Sequence, residues 1–108
     1  MPGDLIHELV THELDDRIVV EILGEVDQSN VESLEDELRA TANGKLLVVD
    51  LRSTVYFDSA GVAMMHSLRQ RADLALVVRP DSIVRRVLEI TGLDQLVPTV
   101  TSPDDVSG

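Results

Sequence analysis

Apolar positions along the chain follow two periods, and the strand-like period comes first. Residues 5–13 and 17–23 read as two strands, the second of them rich in β-branched side chains, and the short acidic turn between them predicts an antiparallel hairpin. We expect Gly24 to interrupt the second strand. The segments 46–51 and 74–78 are near-continuous apolar runs, which are typical of strands covered on both faces.

Three further segments have the spacing of amphipathic helices. The first follows Ser29, whose hydroxyl is spaced from the Glu32 carboxylate as in a capping box, and Asn43-Gly44 predicts a left-handed stop at its end. The second is predicted over residues 60–72. The third is opened by Pro80-Asp81-Ser82, runs through about Thr91 and is ended by Gly92.

The order of these elements is strand, strand, helix, strand, helix, strand, helix, with a short last strand expected over 96–100. It predicts an α/β fold with a mixed sheet of four to five strands, parallel in its core and antiparallel at its N-terminal edge, with helices packed on the sheet. A chain of 108 residues suits one domain. We expect an ordered core over about 5–100 and a loose tail rich in Ser, Pro and Asp.

The formal net charge of −11 disfavours nucleic acid and anionic membranes as partners and favours a basic protein surface.

The chain has no cysteine, and His66 is far along the sequence from the other two histidines, so we expect no metal site and no cofactor. Neither a secretory leader nor a membrane-spanning apolar run is visible. These features predict a cytoplasmic protein.

The segment 55–62 carries the candidate chemistry. It joins a buried strand to the second helix, and Ser59 would stand at the helix start, where free N–H groups favour an anion. At 100° per residue, one side of this helix should face the sheet and carry Met64, Met65, Leu68 and Ala72. The opposite side is mildly apolar and is predicted to be a docking surface formed by Ser59, Val62, Ala63, His66 and Gln70.

Three motifs resemble the STAS-domain family of bacterial anti-sigma factor antagonists. Asp58-Ser59-Ala60-Gly61, preceded by the strand 47–51, is similar to that family's phosphorylation motif. Leu23-Gly24-Glu25-Val26-Asp27 and the last helix, 83–93 with its Gly-Leu ending, resemble the family in the same order along the chain. Together the three motifs span about residues 5–98.

The resemblance implies a non-enzymatic switch protein. In that family the unmodified antagonist binds an anti-sigma factor that is also a serine kinase, and so frees a sigma factor. Phosphorylation of the serine, here Ser59, releases the kinase until a serine phosphatase removes the phosphate. The implied partner-binding residues are Asp27, Asp58, Ser59, Val62, Ala63 and His66. The connection 71–74 departs from the family, whose members commonly have a longer, Gly-containing turn there.

Simpler interpretations of the same residues stay open. Ser59 is also a favoured helix N-cap, a role that is compatible with accepting a phosphate. Asp58 and Asp27 are both typical turn residues. Val62 and His66 would also suit an ordinary solvated helix face.

Two other functions are considered. A constitutive STAS-domain structural subunit of a transporter-associated or stress-signalling complex would keep the fold and use Ser59 only as a cap. A small hydrolase would use Asp58, Ser59 and His66, but the segment lacks a Gly-x-Ser-x-Gly elbow, and His66 lies roughly 10 Å from Ser59 by helical rise. We therefore expect no enzyme.

Overall fold

The computed structural model describes residues 7–106, which form one six-stranded sheet and three α-helices. The predicted first two residues of the first strand, 5 and 6, lie outside the described part. The strands are β1 His7–Glu13, β2 Arg17–Val26, β3 Leu46–Asp50, β4 Thr54–Phe57, β5 Leu74–Val77 and β6 Thr99–Val100. The α-helices are α1 Val31–Ala42, α2 Ser59–Arg69 and α3 Ile83–Thr91. Two short 3₁₀ helices, Leu93–Gln95 and Pro103–Asp105, follow.

The sheet is mixed, as the sequence predicts. β1 and β2 form the antiparallel hairpin, and the Leu14 N–H donates to the Arg17 carbonyl across its turn at 2.8 Å. The pairs β2–β3, β3–β5 and β5–β6 are all parallel, which gives the strand order β1-β2-β3-β5-β6. The parallel core and the antiparallel N-terminal edge are therefore confirmed.

β4 was not predicted, and it pairs with the last three residues of β2, which begin at Gly24. The prediction that Gly24 interrupts the second strand is wrong, because β2 continues to Val26. β2 pairs with β3 over residues 17–21 and in parallel with β4 from Gly24 to Val26. At Gly24 the backbone has a φ of 109°, and the register between β2 and β4 shifts between Gly24 and Glu25. This positive φ is a conformation that glycine adopts easily, and the shift skips Val55 of β4, as in a β-bulge.

All three helices pack on one face of the sheet. Alternate residues of the central strands, such as Val20, Val49 and Leu76, join the buried side chains of the helices in the main core. The residues between them point to the other face, where Val19, Val48, Ala75 and Val77 form a smaller apolar cluster. We call this second cluster the valine face. No α-helix within residues 7–106 packs on it.

The C-terminal segment 101–106 covers part of the valine face and is packed, contrary to the expectation of a loose tail. Val106 is 9% exposed and belongs to the same apolar cluster, and its carbonyl accepts a hydrogen bond of 2.8 Å from Arg17 Nη1. The last strand, β6, is shorter than the predicted 96–100. Within residues 7–106, the C-terminal segment shields part of the valine face from water.

The predicted helix ends are confirmed in part. Asn43 and Gly44 both have positive φ at the end of α1, as expected of a left-handed stop. Ser82 caps α3 by accepting from the Arg85 N–H at 3.1 Å. The capping box at α1 is wrong, because the Ser29 hydroxyl bonds to Asp27 instead and the helix begins only at residue 31. The second helix, α2, ends at residue 69 rather than 72.

Candidate functional site

Two aspartates lie side by side where β2 and β4 end. Val26 and Phe57 are partners in the parallel register, and Asp27 and Asp58 each follow directly. The Asp58 N–H also reaches across to the Val26 carbonyl at 3.4 Å. The carboxyl ends of neighbouring parallel strands meet at one edge of a sheet. The starts of α1 and α2 therefore converge at this edge, which we call the aspartate edge.

Asp58 is the N-cap residue of α2. Its Oδ1 accepts hydrogen bonds from the backbone N–H groups of Ala60 at 3.0 Å and Gly61 at 3.3 Å. Aspartate at this position satisfies N–H groups that have no partner inside the helix and also complements the helix dipole. The interpretation of Asp58 as a local turn residue is confirmed. The alternative in which Ser59 is the N-cap is wrong, since the cap falls one residue earlier.

Asp27 has a similar local role at the start of α1. Its Oδ1 accepts from the Ser29 N–H at 2.9 Å and from the Ser29 hydroxyl. The Asn30 side chain completes this turn by accepting from the Asp27 N–H and donating to the Glu25 carbonyl. The turn interpretation of Asp27 is therefore confirmed. In a capping box the Ser29 N–H would donate to Glu32, but here it donates to Asp27.

Ser59 is the first residue of α2, and its side chain is exposed. One turn further along the helix Ala63 is also exposed, and after a second turn His66 is half-buried. These three residues form a continuous strip on the outer side of α2, in line with the predicted helix face. A hydroxyl in this position is open to a protein that approaches the aspartate edge.

Val62 does not belong to this strip. It is 8% exposed and packs in the main core, so the prediction that its side chain lies on the docking face is wrong. Because α2 packs against both the sheet and α1, its buried side spans about 160° of the helix at 100° per residue, and Val62 lies at one border of that arc. Of the predicted inward-facing residues, Met64, Met65 and Leu68 are buried. Ala72 lies beyond the helix end.

Gly61 is required by packing that the sequence did not reveal. A Cβ atom built on Gly61 would lie 2.8 Å from Cε1 of the Phe57 ring. Phe57 is itself buried, at 4% exposure, so its ring has little room to move away. The glycine that follows Ser59 and Ala60 therefore lets the first turn of α2 lie directly on β4.

Two polar contacts hold the elements of the site in place. Thr54 Oγ1 donates to the Ile22 carbonyl at 2.8 Å, which fixes the start of β4 against β2. On the other side, Ser67 Oγ donates to a Glu35 carboxylate oxygen and joins α2 to α1. Neither contact was predicted, because each joins residues 32 positions apart in the chain and has no local sequence signature.

The connection between β3 and β4 is stabilised by a buried carboxylate. Asp50 is 3% exposed and accepts from the guanidinium of Arg52 at 2.7 to 3.2 Å and from the Arg52 N–H at 3.0 Å. The hydrogen bond to Asp50 is the main cause of the raised pKa of Arg52. The negative charges of Asp50 and Glu21 also raise this pKa. This pair anchors the turn that delivers β4, and hence Ser59, to the aspartate edge.

The geometry of the site does not suit a catalytic triad. The Asp58 carboxylate is engaged by backbone N–H groups at the start of α2, whereas a triad acid would bond to the histidine. No group of three His, Cys, Asp or Glu side chains that could hold a metal ion occurs within residues 7–106. In the same part of the chain, no helix is both long and apolar enough to cross a bilayer.

Comparison with known proteins agrees with this fold. A family model described as "Mlab, STAS domain" matches residues 10–98. The crystal structure of an anti-sigma factor antagonist from Mycobacterium paratuberculosis has a TM-score of 0.81 and 26% sequence identity, over 92% of this chain and 89% of that chain.

Two more distant structures share the fold alone. The anti-sigma factor antagonist SpoIIAA in its unphosphorylated form has a TM-score of 0.71 at 15% identity, over 90% of this chain and 91% of that chain. An antisigma-factor antagonist STAS domain from Rhodobacter sphaeroides has a TM-score of 0.53 at 14% identity, over 69% of this chain and 89% of that chain.

Proposed function

The chain belongs to the STAS-domain family, and we propose that it is an anti-sigma factor antagonist that is switched off by phosphorylation of Ser59. In its unmodified form it binds an anti-sigma factor that is also a serine kinase, and the bound kinase releases a sigma factor. A serine phosphatase restores the active form. The observation that carries this proposal is the exposed hydroxyl of Ser59 at the start of α2, beside Asp27 and Asp58.

The site is suited to accept a phosphoryl group. In the transfer step, Ser59 Oγ forms a bond to the γ-phosphorus of the kinase's ATP while the bond to the departing ADP breaks. The hydroxyl proton passes to a base of the kinase. Because Ser59 is the first residue of a helix, the phosphate formed is close to backbone N–H groups and to the positive end of the helix dipole.

The same phosphate changes what is able to dock. It adds a charge of roughly −1.5 to −2 at neutral pH. The segments 24–38 and 53–68, which build the aspartate edge and the outer strip of α2, contain no Lys or Arg to offset it. A partner that is complementary to Ser59, Ala63 and His66 in the unmodified state therefore meets a bulky, highly charged group after phosphorylation. We infer that the switch acts on the contact surface itself.

Mass mapping after incubation with the cognate kinase and ATP tests the proposal. We expect one phosphate on Ser59, absent from the Ser59→Ala variant and present in Ser33→Ala, which removes an exposed serine of α1. Ser59→Ala should bind the kinase in the presence of ATP as tightly as in its absence. Ser59→Asp should bind more weakly. Labelling at another residue, or tight binding by Ser59→Asp, would overturn the proposal.

A constitutive structural subunit of a transporter-associated or stress-signalling complex would behave differently. It would co-purify with a stoichiometric partner, and neither ATP nor substitution of Ser59 would change that association.

The proposed switch also predicts where the protein works. Since the kinase needs ATP and the phosphatase must reach the same site, we propose that the protein acts in the cytoplasm.

A further inference from the structure

A cavity lies at the end of the molecule opposite the aspartate edge. It is formed where α1 and α2 end and where β3 and β5 begin, and its volume is about 580 Å³. Arg39, Lys45, Arg69 and Arg71 line it, together with the carboxylate-bearing Asp73. We call it the basic cavity. Nothing in the proposed switch at Ser59 uses these residues.

The concentration of positive charge in the basic cavity is unusual for this protein. The chain has 9 Lys and Arg residues against 20 Asp and Glu residues, and four of the nine line this one cavity. Over most of the surface an anion would be repelled, whereas a concave basic site on a low-dielectric body concentrates the field that attracts it. The basic cavity is therefore a candidate site for an anion.

Two of the four cations have no carboxylate partner among the described residues. Lys45 pairs with Glu13 at 3.1 Å, and Arg39 is 3.9 Å from Asp36 in a pair whose side chains are both largely exposed. No salt bridge within residues 7–106 involves Arg69 or Arg71. Their guanidinium groups are thus available to a ligand from outside the chain.

A purely structural explanation accounts for only part of this arrangement. Arg39 and Arg69 lie in the last turns of α1 and α2, where a cation stabilises the negative end of the helix dipole. Arg71 lies two residues beyond the end of α2, in a turn closed by its N–H bond to the Leu68 carbonyl at 2.9 Å. The dipole effect falls off within the last turn of a helix, so it does not explain the presence of Arg71.

We propose that the basic cavity binds a small polyanion that carries two or more phosphate groups. Guanidinium groups bind phosphate oxygens through paired hydrogen bonds, and three of the four cations are arginines. The volume lies within the range of about 300–1,000 Å³ that is usual for small-molecule sites. A free inorganic oligophosphate and a phosphorylated metabolite share this chemistry. Because the site is remote from Ser59, the ligand and the protein partner are able to bind at the same time.

Titration of the intact chain with inorganic tripolyphosphate, followed by the NMR shifts of backbone amides, tests this proposal. At an ionic strength of about 0.15 M we expect saturable binding with a Kd of about 1 mM or below, and shifts that centre on residues 39–45 and 69–73. Arg69→Gln/Arg71→Gln should raise the Kd roughly tenfold or more, as expected from the loss of charge-assisted hydrogen bonds. Arg85→Gln/Arg86→Gln on α3 changes the net charge by the same amount and should leave the Kd within about twofold.

Several results would overturn the proposal. One is a titration that does not saturate up to about ten times the expected Kd. The others are an equal loss of tripolyphosphate affinity in the two double variants, and amide shifts that centre outside residues 39–45 and 69–73. Binding of a hexaglutamate peptide at this cavity in the absence of any tripolyphosphate binding would assign the site to an acidic protein segment instead. Because the assay contains no kinase and does not involve Ser59, its result is independent of the proposed switch. Equal melting temperatures for the variants and the parent chain show that folding is intact.

Discussion

Gly61 lies against the ring of Phe57 so closely that an added methyl group would stand 2.8 Å from Cε1. We predict that Gly61→Ala lowers the free energy of unfolding by up to about 2 kcal/mol. Overpacking costs about 1–3 kcal/mol, and the higher helix propensity of alanine offsets up to about 1 kcal/mol of it. Urea denaturation of the parent chain and the variant measures the difference.

Phe57→Leu supplies the control for this contact. In the Phe57→Leu background, Gly61→Ala should cost at least about 1 kcal/mol less than in the parent chain, because the atoms that it clashes with are gone. If the two substitutions are simply additive, the close contact does not explain why glycine stands at this position.

The N-cap at α2 gives a second prediction. Asp58→Ala removes the acceptor of the Ala60 and Gly61 N–H groups and should lower stability by about 0.5–2 kcal/mol, whereas Asp58→Ser, which keeps a capping oxygen, should lose much less. Asp36→Ala is the matched control, since it removes an exposed carboxylate from α1 and should change stability by no more than about 0.5 kcal/mol. Thermal or urea unfolding distinguishes the three variants.

The same set of variants separates capping from a role in the kinase reaction. If Asp58 acts only by holding the start of α2, then Asp58→Ser should still be phosphorylated on Ser59 at close to the parent rate. A large loss of phosphorylation in Asp58→Ser, with stability retained, would instead show that the carboxylate itself takes part in recognition by the kinase.

The long periodic elements were predictable because their signals are local. The apolar spacing of α1 and α3 and the continuous apolar runs of β3 and β5 identify these elements within a few residues of their observed ends. β4 was missed because it has only four residues and pairs with the last three residues of β2. That pairing has an irregular register between Gly24 and Glu25, and it joins segments about 30 residues apart, so it has no signature within either strand.

The candidate site was predictable to the same degree. The helix start at Ser59 and the exposed strip through Ala63 and His66 follow from the turn residues and from the helical period. The burial of Val62 could not be predicted in this way. The rotation of 100° per residue gives the angle between side chains, but it does not give the number of elements that pack around the helix. Likewise, the choice of Asp58 over Ser59 as the N-cap depends on where β4 ends, and β4 was not foreseen.

The buried pair Asp50–Arg52 predicts an asymmetry between its two partners. Arg52→Met removes the guanidinium from Asp50, whose carboxylate is 3% exposed and keeps the hydrogen bond from the residue 52 N–H. This substitution should therefore destabilise the protein by about 2–4 kcal/mol. Asp50→Asn should cost less, because its carbonyl oxygen still accepts from that N–H and the Arg52 side chain, 40% exposed, is able to turn to solvent. Denaturation curves of both variants, with Arg79→Met as the surface control, test this order. Equal costs would contradict it.

Val106 provides the final prediction, because it is where the C-terminal segment closes over the valine face. Val106→Asp places a charge among Val19, Val48 and Val77, so the segment should detach and expose these side chains. We expect increased binding of a hydrophobic dye and a loss of stability of about 1–3 kcal/mol, while Asp105→Asn, at the exposed neighbouring position, changes neither. Since α2, which begins with Ser59, packs on the opposite face of the sheet, phosphorylation of Ser59 should persist in Val106→Asp at temperatures where the variant is folded. Unchanged dye binding and unchanged stability in Val106→Asp would mean that the segment does not shield this face in solution.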